Sequence, residues 1–122
     1  MAAKKRVLLI DDDMDFREMA KIVLEAADYD VLEAADGEAG LELVKKEDVN
    51  FVLLDVMMEE VDTGCKIADE IVKIKSDVPV VILSSFADAA KQTFDVTSVP
   101  VKEYLQKPLK SDELLALVKK YT

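Results

Sequence analysis

Residues 7–13 have the sequence VLLIDDD, in which four aliphatic side chains are followed directly by three aspartates. A short aliphatic run of this kind is typical of a strand that is buried on both faces of a parallel sheet. The same signal recurs in FVLLD at residues 51–55 and in VVILSS at residues 80–85. These three runs predict inner strands, and weaker patterns predict two further strands at residues 29–34 and 103–106.

Apolar residues at helical spacing separate the predicted strands. They predict a first helix capped by Asp13, a second that begins at Asp36-Gly37, a third over residues 64–75 and a last helix capped by Ser111. The period over residues 86–95 is poor, and a short helix is expected there. Five strand–helix alternations predict an α/β fold with a doubly wound five-stranded parallel sheet and helices on both faces.

The composition limits the possible functions. A length of 122 residues fits one domain. The net charge of −10 disfavours direct binding to nucleic acid or to an anionic membrane. The chain has no histidine, which excludes a Ser/His/Asp triad, imidazole-bound zinc and an internal phosphohistidine. A single cysteine, Cys65, and the lack of a signal peptide or membrane-spanning run predict a cytoplasmic location.

Chemically active side chains end four of the five predicted strands: Asp11 and Asp12, Asp55, Ser84 and Lys107. In doubly wound sheets, ligands bind outside the carboxyl ends of the strands. If the inner strands are neighbours, the three carboxylates converge, and each pair repels by on the order of 4 kcal/mol at about 4 Å and a dielectric of about 20. Either some of them take up protons, or a hard divalent cation such as Mg²⁺ binds among them.

Such a set meets the needs of phosphoryl transfer to a carboxylate. A metal ion and Lys107 can neutralise phosphoryl oxygens, Ser84 offers a hydroxyl, and one aspartate can act as the in-line nucleophile.

Four motifs resemble the receiver domain of two-component response regulators. They span essentially the whole chain and occur in the family's order: LLIDDD at residues 8–13, LLDVMM at 53–58, PVVILSS at 79–85 and YLQKP at 104–108. The resemblance implies a flavodoxin-like sheet with strand order 2-1-3-4-5. It also implies one receiver domain over residues 1–122, with no output domain in this chain.

The resemblance further implies a phosphorylation-activated signalling switch in which Asp55 accepts a phosphoryl group from a kinase's phosphohistidine. Mg²⁺, or alternatively Mn²⁺, would be held by Asp12 directly, by Asp11 through water, by the Asp55 carboxylate and by the Met57 main-chain carbonyl. The domain would catalyse only its own phosphorylation and slow dephosphorylation. Implied partners are a sensor histidine kinase or phosphotransfer protein and an unidentified downstream protein, and phosphorylation could produce a dimer.

The same resemblance assigns roles at the fourth and fifth strands. Lys107 would pair with the phosphoryl group, and Ser84 would move toward it while the Tyr104 ring turns inward. The bond before Pro108 is expected to be cis, which is tolerable because proline reduces the trans preference to roughly 0.5–1 kcal/mol. Phosphorylation would shift a two-state equilibrium and change the surface around the fourth helix and the fifth strand.

Some residues depart from the family pattern. Glu59 stands where many members have proline, and Met57 and Phe86 are apolar at the two variable places that flank the acceptor. We predict that Met57 and Phe86 hinder the hydrolytic water and lengthen the lifetime of the phosphoryl group. Two alternatives stay open: a degenerate receiver that binds a partner without phosphorylation, and a Mg²⁺-dependent phosphatase with an aspartyl-phosphate intermediate. The phosphatase class usually has a substrate cap, for which 122 residues leave no space.

Overall fold

The structure, a computed structural model, describes residues 4–56, 61–84, 103–106 and 109–122. For residues 56, 61–65, 84, 103, 104 and 106, only the backbone is described. The strands are β1 (Arg6–Ile10), β2 (Asp30–Ala34), β3 (Phe51–Val56), β4 (Val80–Ser84) and β5 (Glu103–Gln106). The described helices are α1 (Met14–Ala26), α2 (Gly37–Lys46), α3 (Val61–Ile74) and α4 (Ser111–Tyr121).

The five strands form one sheet in the order β2-β1-β3-β4-β5, and every adjacent pair is parallel. The register places Ile10 opposite Ala34 on one side and opposite Leu54 on the other. The carboxyl ends of β1, β2 and β3 therefore meet at one edge of the sheet. This topology confirms the predicted fold and strand order.

Alternate residues of each inner strand face opposite layers of helices, and for this reason the strand sequences are apolar throughout. On one face, Leu8, Ile10, Val52, Leu54, Val80 and Ile82 belong to a core with residues of α2 and α3. On the other face, Val7, Leu9, Phe51, Leu53, Val81 and Leu83 belong to a core with residues of α1 and α4. The sheet is thus covered by helices on both faces, as the sequence predicts.

Helix α2 lies close to β1 at one glycine. Gly40 is buried, and a Cβ atom added at this position would overlap the side chain of Ile10. The lack of a side chain at Gly40 lets the helix approach the strand that carries the first aspartates. Helix α1, in contrast, ends in a turn with a positive φ of 69° at the exposed Asp28, a conformation that favours glycine.

Polar contacts connect the amino ends of β1, β2 and β3. The Arg6 guanidinium contacts Asp30 through Nε at 3.3 Å and Glu47 through Nη1 at 3.0 Å. The Arg6 main-chain N–H donates to Asn50 Oδ1 at 2.8 Å, and the Asn50 N–H donates to the Arg6 carbonyl at 2.8 Å. These contacts lie at the end of the sheet opposite the one where the aspartates follow.

Several predicted boundaries need correction. Helix α3 begins at Val61, three residues before the predicted start, and Ile74 at its end is 37% exposed although its spacing predicts a core position. Ser111 is the first residue of α4 and does not cap it, because Lys110 is the last extended residue. The Glu113 carboxylate accepts a hydrogen bond from the Lys110 N–H at 3.1 Å instead. The predicted helix over residues 86–95 lies outside the described residues.

Within the described part of the chain, no helix is long and apolar enough to cross a membrane.

Candidate functional site

Three aspartates from two adjacent strands meet at the carboxyl edge of the sheet. Asp11 and Asp12 directly follow β1, and Asp55 is the penultimate residue of β3. One carboxylate oxygen from each of the three lies within 4.8 Å of the others. We call these three residues the acidic cluster. The sequence predicts this convergence, although β3 extends one residue beyond the predicted end at Asp55.

Asp11 is the most constrained member of the acidic cluster. The residue is only 3% exposed, and it is the one buried polar or charged residue among those whose side chains the structure describes. Its main-chain N–H donates to the Ala34 carbonyl at 3.0 Å, which continues the pairing of β1 with β2. Its Oδ1 accepts a hydrogen bond from the Asp13 N–H at 2.8 Å. A buried carboxylate requires such donors, because burial without them is costly.

The other two members are more accessible. Asp12 is exposed and Asp55 is half-buried. The acidic cluster therefore has a closed side, formed by Asp11 and the sheet, and an open side from which an ion or a phosphoryl donor can approach.

Asp13 caps helix α1, as the sequence predicts. Its Oδ1 accepts from the main-chain N–H groups of Asp15 at 3.0 Å and Phe16 at 3.3 Å. Its carboxylate is therefore directed to the helix and is separate from the acidic cluster. The sequence does not predict the hydrogen bond from the Asp13 N–H to Asp11, because only the folded turn creates it.

The chemistry of the acidic cluster fits Mg²⁺. This ion prefers oxygen ligands, keeps several waters and needs only one or two carboxylates. Three carboxylates within 4.8 Å also repel one another, and a bound cation would relieve that repulsion. Asp11, Asp12 and Asp55 could hold the ion, with the buried Asp11 giving the site a rigid wall.

The remaining predicted site residues are only partly described. Ser84 is the last residue of β4 and lies in register with Val56, next to the Asp55–Leu83 pair, so its backbone is at the same edge of the sheet. Tyr104 lies in β5 in register with Ile82. Met57, Phe86, Lys107 and Pro108 lie outside the described residues.

The fold and the acidic cluster together define a receiver-like α/β domain. The family model for the response regulator receiver domain matches residues 7–119. The chain therefore belongs to this family. Its members are phosphorylation-activated signalling switches rather than true enzymes, and they accept phosphoryl groups from histidine kinases.

Curated relatives include the probable transcriptional regulator ycf27 of Porphyridium aerugineum, which is 34% identical over 95% of this chain and 47% of its own length. The DNA-binding response regulator MtrA of Mycobacterium leprae is 31% identical over 95% of this chain and 50% of its own. The chain thus spans about half the length of the curated relatives that it matches.

Solved structures agree with the fold. The response regulator TrrA of Thermotoga maritima, in complex with Mg²⁺ and BeF, is 31% identical, with a TM-score of 0.81 and coverage of 97% of this chain and 99% of that one. Chemotaxis protein CheY4 of Vibrio cholerae is 26% identical, with a TM-score of 0.85 and coverage of 98% and 100%.

Proposed function

We propose that this chain accepts a phosphoryl group on Asp55 from a sensor histidine kinase or a phosphotransfer protein, in a reaction that requires Mg²⁺. The observation that carries the proposal is the acidic cluster, in which Asp55 lies within 4.8 Å of two further carboxylates. Of the three, Asp55 combines access from the solvent with a position inside a strand. A nucleophile held in this way can be approached in line by a donor while its backbone stays fixed.

The reaction is a displacement at phosphorus. A carboxylate oxygen of Asp55 forms the new P–O bond, the P–N bond to the donor imidazole breaks, and the imidazole nitrogen takes up a proton. Asp11 and Asp12, with the Asp55 carboxylate and the Met57 main-chain carbonyl, are the proposed ligands. Bound Mg²⁺ supplies positive charge that neutralises the phosphoryl oxygens.

Residues of the fourth and fifth strands complete the proposed site. Lys107 pairs with the phosphoryl group from the side opposite the metal ion. The Ser84 hydroxyl moves toward the phosphoryl group and donates a hydrogen bond to it, while the Tyr104 ring turns inward. The backbone of Ser84 at the carboxyl edge supports its role, because β4 is the neighbour of β3. The TrrA structure in complex with Mg²⁺ and BeF supports the choice of ion, since that protein is 31% identical over nearly the whole chain.

Phosphorylation with a small donor tests the proposal. Incubation with Mg²⁺ and acetyl phosphate should add the mass of one phosphoryl group to the intact chain, and Asp55→Asn should abolish the addition. Asp48→Asn is the matched control, because Asp48 is an exposed aspartate outside the acidic cluster. No labelling of the wild-type chain would favour the degenerate receiver, and repeated turnover of a phosphoester would favour the phosphatase.

Met57 and Phe86 are proposed to lengthen the phosphoryl lifetime by hindering the attacking water. Met57→Asn and Phe86→Glu should each shorten the decay of the phosphorylated chain, measured by intact mass after removal of the donor. A lifetime that neither substitution shortens would contradict this role.

We propose that the phosphorylated chain binds a downstream protein. Phosphorylation could instead cause two copies of this chain to form a dimer. The relatives ycf27 and MtrA are described as a transcriptional regulator and a DNA-binding response regulator, and they are about twice as long as the part matched here. A net charge of −10 disfavours a direct nucleic-acid contact by the receiver itself. A function downstream of a histidine kinase fits a cytoplasmic location.

A further inference from the structure

Asp13 forms hydrogen bonds through its amide, its carbonyl and its carboxylate, although it is separate from the acidic cluster. Its N–H donates to Asp11 Oδ1 at 2.8 Å, and its carbonyl accepts from the Arg17 N–H at 3.1 Å. Its Oδ1 accepts from the N–H groups of Asp15 and Phe16. One residue thus connects the first turn of α1 to the most buried member of the acidic cluster.

We infer that Asp13 is a positioning residue for the Mg²⁺ site, a role that rests on the proposed function. The cap holds the Asp13 backbone in an extended conformation, with φ −83° and ψ 103°. This conformation directs its N–H to Asp11 Oδ1, and the bond restricts rotation of the Asp11 carboxylate. The main chain of Asp11 is fixed independently by the Ala34 carbonyl at 3.0 Å. Asp13 therefore contributes to the orientation of the Asp11 side chain, which the pairing of the Asp11 main chain with β2 does not determine.

The negative charge of Asp13 is a competing explanation for any effect of this residue on Mg²⁺ affinity, because a nearby carboxylate attracts a cation. The two explanations predict different effects of substitution. Asparagine and serine are about as good as aspartate at the N-cap but carry no charge, so Asp13→Asn and Asp13→Ser keep the cap and remove the charge. Alanine removes both.

Asp36 provides a matched control on the neighbouring helix. Its Oδ1 accepts from the Ala39 N–H at 2.8 Å and its carbonyl accepts from the Gly40 N–H at 3.1 Å, so it caps α2 as Asp13 caps α1. No hydrogen bond from Asp36 to the acidic cluster occurs among the described residues. Asp36→Ala therefore removes one charge and one cap without releasing Asp11.

Titration with MgCl₂ tests the inference on the 122-residue chain. Mg²⁺ affinity is measured from the amide NMR signals of residues 11–16, and a thermal melt verifies that each variant is folded. Asp13→Ala should raise the Mg²⁺ Kd about fivefold, which corresponds to about 1 kcal/mol. Asp13→Asn, Asp13→Ser and Asp36→Ala should each remain within about twofold of the wild type.

The outcomes separate this inference from the proposed function. If the wild-type chain shows no Mg²⁺-dependent signal changes, the magnesium site is absent and the role of Asp13 falls with it. If the wild type binds Mg²⁺ and Asp13→Ala binds it equally well, the site stands and the positioning role is wrong. If Asp13→Asn loses as much affinity as Asp13→Ala, the loss of charge accounts for the effect, and if Asp36→Ala does so, the loss of a charge or of a cap without contact to Asp11 accounts for it; in either case the positioning role is wrong.

Discussion

Removing one carboxylate from the acidic cluster should stabilise the chain in the absence of Mg²⁺ and weaken its response to the ion. Asp12→Asn is the suitable change, because Asp12 is exposed and asparagine preserves its shape. The cluster oxygens lie within 4.8 Å of one another. At about that distance two unit charges repel by roughly 0.9 kcal/mol at a dielectric of about 80 and by roughly 3.5 kcal/mol at about 20.

The exposure of Asp12 favours the lower value, since solvent screens its charge. With repulsion from both Asp11 and Asp55, the substitution should raise the free energy of unfolding by about 1–2 kcal/mol at low ionic strength. The gain should shrink in about 1 M NaCl, where the Debye length falls to about 3 Å.

Urea unfolding with and without MgCl₂ measures both effects. Added Mg²⁺ stabilises whichever chain binds it, in proportion to the logarithm of its concentration over Kd. Mg²⁺ should therefore raise the free energy of unfolding of the wild type more than that of Asp12→Asn. As the Mg²⁺ concentration rises, the stability advantage of Asp12→Asn should shrink. Asp48→Asn, outside the cluster, should show neither effect. A variant that is less stable than the wild type without Mg²⁺, or that gains equally from it, would refute the reasoning.

Three further substitutions test the local geometry. Asp28→Gly should stabilise the fold by up to about 1 kcal/mol in urea unfolding, because its φ of 69° strains any residue with a Cβ, and a lower stability would contradict this. Gly40→Ala should lower the melting temperature, because overlap with buried Ile10 costs typically 1–3 kcal/mol whereas the gain in helix propensity is about 1 kcal/mol. An unchanged or raised melting temperature would disprove that overlap. A hydrogen bond to Asp69 at 2.9 Å, together with its charge, raises the pKa of Lys73 above the ordinary value of 10.5. The stability that Lys73 adds over Lys73→Gln should therefore be complete at neutral pH and disappear as the pH rises through the raised pKa, and a difference that persists at strongly alkaline pH would count against the pair.

The strands and the acidic cluster could be predicted from sequence because both depend on local patterns. Aliphatic runs that end in aspartate predict β1 and β3, and parallel pairing then places Asp11, Asp12 and Asp55 at one edge. The cap at Asp13 was equally predictable, since aspartate before an amphipathic run is a strong N-cap signal.

Other features depend on the fold and have no local signal. Ser111 has the composition of a cap, but the chain becomes helical one residue earlier and Glu113 bonds to Lys110 instead. Ile74 follows the apolar period of α3, yet it lies at the helix end where the core no longer covers it. The bond from the Asp13 N–H to Asp11 requires the turn between β1 and α1 to be folded.

The Arg6 contacts have a consequence for how this domain can be altered. They join the amino ends of three strands through Asp30, Glu47 and Asn50, far along each strand from the aspartates. Strand alignment is thereby secured by groups that take no part in ion or phosphoryl binding. A change at Arg6 would therefore weaken these contacts without removing any group of the acidic cluster at the opposite edge.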